Sequence, residues 1–195
     1  MTVFPFSSVT ARVAGLASLA LVGVVHAAPF DKTLWRNGIT FHVHASDHGS
    51  LNRLTVRPSG LRLKEANRPF SQTIEGGVSG AEIADLDHDG WPELYVFLSA
   101  SGSGSYGEVL GWHVDKGRSL SEIYLAPLSD DPVNSEGYLG HDRFRIEGDR
   151  LVRSFPVYRE GDATATPGGG TRTLRYRLVA GPAGWSLRSD SGCDR

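Results

Sequence analysis

Apolar and polar residues alternate in short segments along most of the chain, and clusters of Gly, Pro, Asn, Asp and Ser separate these segments. Alternation with a period of two is typical of a β-strand that buries one face, and a helical period is almost absent. The predicted strands are residues 40–44, 54–56, 72–78, 93–98, 106–114, 142–146, 151–155, 171–180 and 185–187. The pattern predicts an all-β fold, an antiparallel β-sandwich with Gly/Ser-rich hairpin loops.

Residues 93–98 differ from the other predicted strands because they are almost continuously apolar. Such a run predicts a central strand that is buried on both faces. The Ser- and Gly-rich residues 99–107 lie between this strand and the next, so they are expected to form the tip of a β-hairpin. Other predicted turns and loops are Gly148-Asp149, residues 127–142 and residues 161–170.

The N-terminal segment has the order of a secretory signal peptide. Arg12 precedes an apolar run at residues 13–25, and residues 25–27, Val-His-Ala, match the small-residue cleavage rule. The run is shorter than the roughly 20 apolar residues that a membrane-spanning helix needs. We therefore expect residues 1–27 to be removed on export, which leaves a periplasmic protein whose residues 28–195 form one β-domain. An uncleaved membrane anchor is the alternative.

The chain has 20 Lys and Arg against 22 Asp and Glu, which gives a formal net charge of −2. Both signs are mixed along the chain, so neither a basic patch for nucleic acid nor a later membrane segment is predicted. Cys193 is the single cysteine, so an internal disulfide is excluded and the core must provide the stability. Cys193 is either a free thiol on a C-terminal tail or a link to another chain, and self-association into a homodimer stays open.

The loop at residues 99–107 is the first candidate for function. Its glycines allow backbone conformations that other residues avoid, its serines donate and accept hydrogen bonds, and Tyr106 adds an aromatic ring with a polar end. A narrow tip of this kind is suited to entering a groove on another protein. The alternative is a flexible hairpin loop without a binding role. The candidate binding residues are Ser101, Gly102, Ser103, Gly104, Ser105 and Tyr106.

The sequence Asp-Leu-Asp-His-Asp-Gly at residues 85–90 is the second candidate. Carboxylates at alternate positions before a glycine match the first half of a calcium loop, in which oxygen ligands surround the ion. The EF-hand pattern places a Glu six residues after this glycine, where the chain has Val96, so the match is partial. The alternative is an acidic turn whose carboxylates cap backbone N–H groups. The candidate Ca²⁺ ligands are Asp85, Asp87, Asp89 and Glu93.

Patterns that indicate catalysis are weak. The serines of the 99–107 loop lack the spacing and the strand-to-helix context of a nucleophile elbow. His42 and His44 lie two positions apart on one predicted strand, but no third zinc ligand is indicated, so they are expected to be surface histidines. His113 and His141 are isolated in the sequence. The chain is therefore predicted not to be an enzyme, with a periplasmic hydrolase that uses a loop serine as the alternative.

From Asp85 to Leu187 the chain resembles the periplasmic inhibitors of invertebrate-type lysozymes. The resemblance rests on Asp-Leu-Asp-His-Asp-Gly-Trp-Pro-Glu-Leu at residues 85–94, on the apolar strand that follows, and on Ser-Ala-Ser-Gly-Ser-Gly-Ser-Tyr at residues 99–106. That family carries a Ser-Gly-x-Tyr motif, which residues 103–106 match. The Gly-Thr-Arg sequence at residues 170–172 is a further likeness.

The resemblance implies a β-sandwich and an inhibitory loop that enters the substrate cleft of a lysozyme. Ser103 and Tyr106 are then expected to form hydrogen bonds with the catalytic carboxyl groups of the enzyme, which protects peptidoglycan. An invertebrate-type lysozyme is the expected partner, with other muramidases as alternatives, and no cofactor is implied. The competing hypothesis is a calcium-binding extracytoplasmic β-domain that binds another partner.

Overall fold

The computed structural model describes residues 29–46 and 49–190, so the predicted signal peptide and Cys193 lie outside the described residues. Within this part, regular structure consists of twelve β-strands and two short 3₁₀ turns, at Lys64–Asn67 and Leu128–Asp130. The strands are β1 Phe30–Arg36, β2 Ile39–Ala45, β3 Leu51–Ser59, β4 Phe70–Glu75, β5 Gly77–Ala84, β6 Glu93–Ser99, β7 Gly107–Asp115, β8 Ser119–Leu125, β9 Arg143–Glu147, β10 Arg150–Pro156, β11 Thr171–Gly181 and β12 Gly184–Ser189. The predicted all-β fold is confirmed. None of the described residues belongs to a helix long and apolar enough to cross a membrane.

The first four strands form an antiparallel sheet in the order β1-β2-β3-β4. Strand β2 illustrates how the sequence builds it. Ile39, Phe41 and Val43 are buried on one face, whereas His42 and His44 lie on the other, partly exposed face. Because successive side chains of a strand point to opposite sides, this alternation makes one face of the sheet apolar. That face must be covered by another layer.

The other eight strands form a second sheet in the order β5-β6-β7-β8-β12-β11-β10-β9. Its neighbouring strands pair antiparallel, except that β8 and β12 pair parallel. The sequence predicted an antiparallel sandwich, so this parallel pair is a difference from the prediction. The sheet curls until its two edge strands approach each other. The backbone N–H of Ile146 in β9 donates a hydrogen bond to Oε2 of Glu82 in β5, over 3.3 Å. The second sheet is therefore barrel-like, and β1–β4 covers part of its outer face.

Strand β6 lies between two hydrophobic cores. Leu94, Val96 and Leu98 pack in the core shared with β2 and β3, while Tyr95 and Phe97 face the inside of the curled sheet. All five side chains are at most 3% exposed. This confirms the prediction of a central strand that is buried on both faces.

Some predicted strand boundaries were wrong. Residues 72–78 were predicted as one strand, but they span the end of β4 and the start of β5. Gly76 makes the turn between them with a φ of 72°, and a Cβ there would lie 2.0 Å from the Ser99 carbonyl oxygen. Strands β1 and β8 were not predicted. Their residues are mostly exposed or half-buried, so their sequences carry little hydrophobic alternation.

Candidate functional site

Residues 100–106 join β6 to β7 and form the hairpin tip that the sequence predicts. Residues 101–103 are exposed to solvent. The Ala100 N–H donates to the Tyr106 carbonyl over 2.8 Å, which closes the base of the tip. Gly102 has a φ of 140°, a conformation that other residues rarely adopt. The tip is thus a compact turn that projects small polar groups.

Tyr106 stands at the end of this tip and is 50% exposed. Its ring meets the Tyr138 ring edge-on, with centroids 5.6 Å apart and an interplanar angle of 75°. The Tyr138 ring in turn meets buried Phe155 at 4.8 Å. Edge-to-face contacts of this kind are favourable beyond the area that they bury. The row of rings orients Tyr106 from the core outward, while half of its surface stays accessible.

A buried ion pair anchors the same region. Arg153 donates from Nε to Oδ1 of Asp142 over 2.7 Å, and the two side chains are 5% and 0% exposed. The other carboxylate oxygen of Asp142 accepts hydrogen bonds from the Gly107 N–H and the Tyr138 hydroxyl. Burial and the hydrogen bond to Asp142 raise the pKa of Tyr138 well above its usual range, so this hydroxyl keeps its proton. Asp142 thereby ties the start of β7 to the ring that supports Tyr106.

The long loop at residues 127–142 packs beside the tip. Its His141 N–H donates to the Gly104 carbonyl over 2.7 Å. Gly140 has a φ of 91°, and a Cβ there would lie 1.9 Å from the same carbonyl oxygen, so only glycine fits. A groove of about 590 Å³ lies between this loop and Tyr106. The two loops that composition predicted separately therefore form one surface.

The predicted acidic turn lies at residues 85–92, between β5 and β6. Oδ1 of Asp87 accepts the Asp89 N–H over 3.2 Å, and Oδ1 of Asp89 accepts the Trp91 N–H over 2.7 Å. These bonds are the backbone capping that the alternative interpretation predicted. The Oδ2 oxygens of the same two carboxylates, however, lie 3.3 and 3.6 Å from the imidazole Nε2 of His113. One oxygen of each carboxylate shapes the turn and the other faces a histidine.

His113 lies next to Glu93 as well as to the carboxylates of Asp87 and Asp89. His113 and Glu93 are direct partners across the β6–β7 ladder, and they are 1% and 0% exposed. One side-chain nitrogen or oxygen from each of Asp87, Asp89, Glu93 and His113 lies within 4.8 Å of the others. We call these four residues the acidic cluster. Its atoms are close enough to share one bound cation.

The acidic cluster differs from the predicted calcium ligands in two residues. Asp85 is outside it, and its carboxylate lies 4.0 Å from the guanidinium of Arg36. His113, which sequence reasoning left as isolated, is inside it. The signal that marks His113 is its place as a polar residue in the apolar stretch of β7, next to Trp112 and Val114. That signal does not reveal which residues surround it.

The charges of the acidic cluster are unbalanced. Burial raises the pKa of Glu93 to about 8, and the negative charges of Asp87, Asp85 and Asp89 act in the same direction. The Leu86 N–H donates to Oε2 of Glu93 over 2.8 Å and opposes this shift. Carboxyl groups so close together repel one another unless a proton or a cation offsets their charge.

The remaining predicted histidines and serines form no comparable site. His42 and His44 both contact the carboxylate of Asp31, at 3.0 and 3.2 Å, and their side chains are 40% and 44% exposed. The hydrogen bond from His42 lowers the pKa of Asp31. The hydroxyl of Ser105 donates to the Gly102 carbonyl over 3.3 Å. Within the described residues, no hydrogen bond joins a serine of the tip to a histidine.

No protein-family model matches the chain, and no curated protein matches it in sequence. The chain's own residues provide two features at opposite ends of the β6–β7 hairpin, the exposed tip at residues 101–106 and the partly buried acidic cluster.

Proposed function

We propose that this chain is a periplasmic inhibitor of lysozyme, with the invertebrate type as its preferred target, and that residues 101–106 enter the active-site cleft of the enzyme. The observation that carries the proposal is the half-exposed Tyr106 at the end of a Ser/Gly-rich tip, supported by a row of aromatic rings. Residues 103–106 also match the Ser-Gly-x-Tyr motif of the inhibitors of invertebrate-type lysozymes.

The chemistry of the tip suits the cleft of a glycosidase. Such enzymes place two carboxyl groups beside the bond that they cleave, one protonated and one ionised. Hydroxyl groups both donate and accept hydrogen bonds, so Ser103 and Tyr106 satisfy either form of these carboxyl groups. Residues 99–107 contain no charged side chain, so docking buries no unpaired charge from the inhibitor.

The support of the tip lowers the cost of binding. Asp142 holds the start of β7, the His141 N–H holds the Gly104 carbonyl, and Tyr138 orients Tyr106. A loop that is ordered before binding loses less conformational entropy in the complex. An aromatic anchor that enters a pocket typically carries much of the binding energy of an interface. We therefore expect Tyr106 to contribute most among residues 101–106.

The test is lysis of a suspension of peptidoglycan-bearing cells by invertebrate-type, chicken-type and goose-type lysozymes, each with and without the purified protein. We expect selective protection against the invertebrate type. Tyr106→Ala should weaken inhibition about 30-fold or more, as expected for a loss of at least about 2 kcal/mol at an anchor. Ser105→Ala should weaken it less. The control is Trp35→Ala, which removes a 68% exposed aromatic side chain from β1, and it should inhibit like the wild type.

Two outcomes count against the proposal. If the protein protects against none of the three lysozymes, lysozyme is not its target. Equal inhibition by the wild type and Tyr106→Ala would remove the tip as the inhibitory element. A hydrolytic activity that Ser103→Ala abolishes, with lysozyme binding unchanged, would instead support the alternative of a periplasmic hydrolase.

A further inference from the structure

We propose that the acidic cluster binds a divalent transition-metal ion of the zinc type, through Nε2 of His113 and one carboxylate oxygen each from Asp87, Asp89 and Glu93. This inference concerns the base of the β6–β7 hairpin rather than its tip. It therefore stands or fails independently of lysozyme inhibition.

The distances within the acidic cluster suit a metal better than hydrogen bonds. A zinc ion binds nitrogen and oxygen ligands at about 2.0–2.2 Å, so tetrahedral ligand atoms lie about 3.3–3.6 Å from each other. The Nε2 atom of His113 lies 3.3 Å from Oδ2 of Asp87 and 3.6 Å from Oδ2 of Asp89. All four candidate ligand atoms lie within 4.8 Å of one another. Side-chain rotations would have to bring the more distant of these atoms to the tetrahedral spacing.

Two buried atoms in the acidic cluster are also without hydrogen-bond partners. They are Nε2 of His113 and Oε1 of Glu93, whose side chains are almost fully buried. A buried polar atom without a partner costs about 1–3 kcal/mol, and more when the group is charged. These two atoms are not needed to shape the acidic turn, because the Oδ1 oxygens of Asp87 and Asp89 cap its backbone N–H groups. A bound cation would satisfy both atoms at once.

His113 is oriented as a metal ligand requires. Its Nδ1 lies 3.2 Å from Oδ1 of Asp115, and an ionised carboxylate only accepts, so this contact favours the tautomer that carries the proton on Nδ1. Asp115 is itself held by the Ser121 hydroxyl, and the Trp185 ring stacks on the imidazole at 3.9 Å. The lone pair of Nε2 then points toward the carboxylates of the acidic cluster. A carboxylate behind a histidine is the usual way in which proteins fix a histidine ligand.

The ligand set selects the class of metal. Ca²⁺ and Mg²⁺ take oxygen ligands, whereas imidazole nitrogen favours zinc and its neighbours in the first transition row. With one nitrogen and three carboxylates, we expect Zn²⁺ or Mn²⁺ to bind more tightly than Ca²⁺. The calcium ligands expected from sequence omit His113, and its presence changes the expected ion.

The experiment titrates the EDTA-treated protein separately with Zn²⁺, Mn²⁺ and Ca²⁺ in a calorimeter, and follows thermal unfolding with each ion. We expect one Zn²⁺ or Mn²⁺ per chain and a raised unfolding midpoint. His113→Gln should bind that ion at least tenfold more weakly. His42→Gln is the matched control, since it removes an imidazole that also contacts a carboxylate but lies on the surface, and it should bind like the wild type.

Binding of Zn²⁺ or Mn²⁺ that weakens in His113→Gln and not in His42→Gln supports the proposal. No binding, binding of Ca²⁺ alone, or binding that His113→Gln leaves unchanged overturns it. If His113→Gln does not fold, Asp89→Asn replaces it, because this side chain is 31% exposed and tolerates substitution better. Asp89→Asn should also bind at least tenfold more weakly, and unchanged affinity in that variant overturns the proposal.

Discussion

Glu93 and His113 face each other across the β6–β7 ladder, and each buries a polar atom that has no hydrogen-bond partner. Both lie at the open end of the hairpin whose other end is the exposed tip at residues 101–106. The two strands between them are packed in the protein core. The proposed metal site and the proposed inhibitory loop therefore lie at the two ends of one hairpin.

Asp115 is expected to position His113 rather than to bind the metal. Asp115→Ala removes the acceptor of the Nδ1–H, and zinc affinity should fall about 10- to 100-fold, the usual effect of losing such a partner. Calorimetric titration of the metal-free protein measures this. Asp190→Ala is the control, because both carboxylate side chains are 34% exposed and Asp190 pairs with Arg150 elsewhere. Equal losses in the two variants would contradict the positioning role.

Arg153 is expected to stabilise the base of the tip strongly. Arg153→Ala leaves the buried carboxylate of Asp142 without its charged partner, which should lower the free energy of unfolding by about 3–5 kcal/mol. Arg175 pairs with Glu147 at 3.4 Å on the surface, so Arg175→Ala should cost about 1 kcal/mol or less. Urea unfolding of both variants provides the comparison. Similar costs would mean that Asp142 is not held by Arg153 in solution.

Gly140 is expected to be required for inhibition because of its contact with the tip. Gly140→Ala places a Cβ against the Gly104 carbonyl and should displace the tip. Gly148→Ala is the control, since Gly148 also has a positive φ, 61°, but a Cβ there meets no atom within 4 Å. Both variants pay backbone strain of about 1 kcal/mol, and only Gly140→Ala should lose inhibition in the lysis assay. Full inhibition by Gly140→Ala would show that the tip does not need its contact with the loop at residues 127–142 in order to inhibit.

The loop at residues 159–168 is expected to open in acid. Asp162 accepts the N–H groups of Arg159 and Gly168 over 2.7 and 2.6 Å, and these bonds lower its pKa from 3.8. A lowered folded-state pKa means that the stabilisation is present above about pH 4 and is lost as the pH falls through the folded-state value. Amide exchange by NMR from pH 5 to 2 should show this loop losing protection. Asp162→Asn should remove that pH dependence. If the variant and the wild type lose protection over the same pH range, Asp162 is not the group responsible.

Leu94 is expected to be one of the most costly positions in the core. It is 0% exposed on the face of β6 that packs against the first sheet, so Leu94→Ala should lower the free energy of unfolding by about 2–5 kcal/mol. Leu51→Ala removes the same atoms from a residue that is 63% exposed and should cost about 0.5 kcal/mol or less. Thermal or urea unfolding distinguishes the two. Equal costs would contradict the burial of β6 between two layers.

Local patterns of the sequence determined the fold class and the place of the tip. Side chains alternate between the two faces of a strand, so burial leaves a period of two, as in β11, where Leu174, Tyr176 and Leu178 are buried. Burial on both faces leaves the continuous apolar run of β6. The tip was visible because turns need glycine and small polar residues. Edge strands such as β1, which bury little, left almost no pattern.

Only the tertiary structure decided which polar residues meet. Glu93 and His113 become neighbours through the register of β6 and β7, and Asp142 meets Arg153 through the pairing of β9 with β10. In each case the partners lie on separate segments, and their approach depends on how complete strands pair and pack. The alternation of apolar and polar residues within a strand does not show which strands will pair. The sequence therefore identified the carboxylates of the acidic turn but not His113, which lies beside them. Contacts across strands follow from the packing of the whole sheet, which a local pattern does not contain.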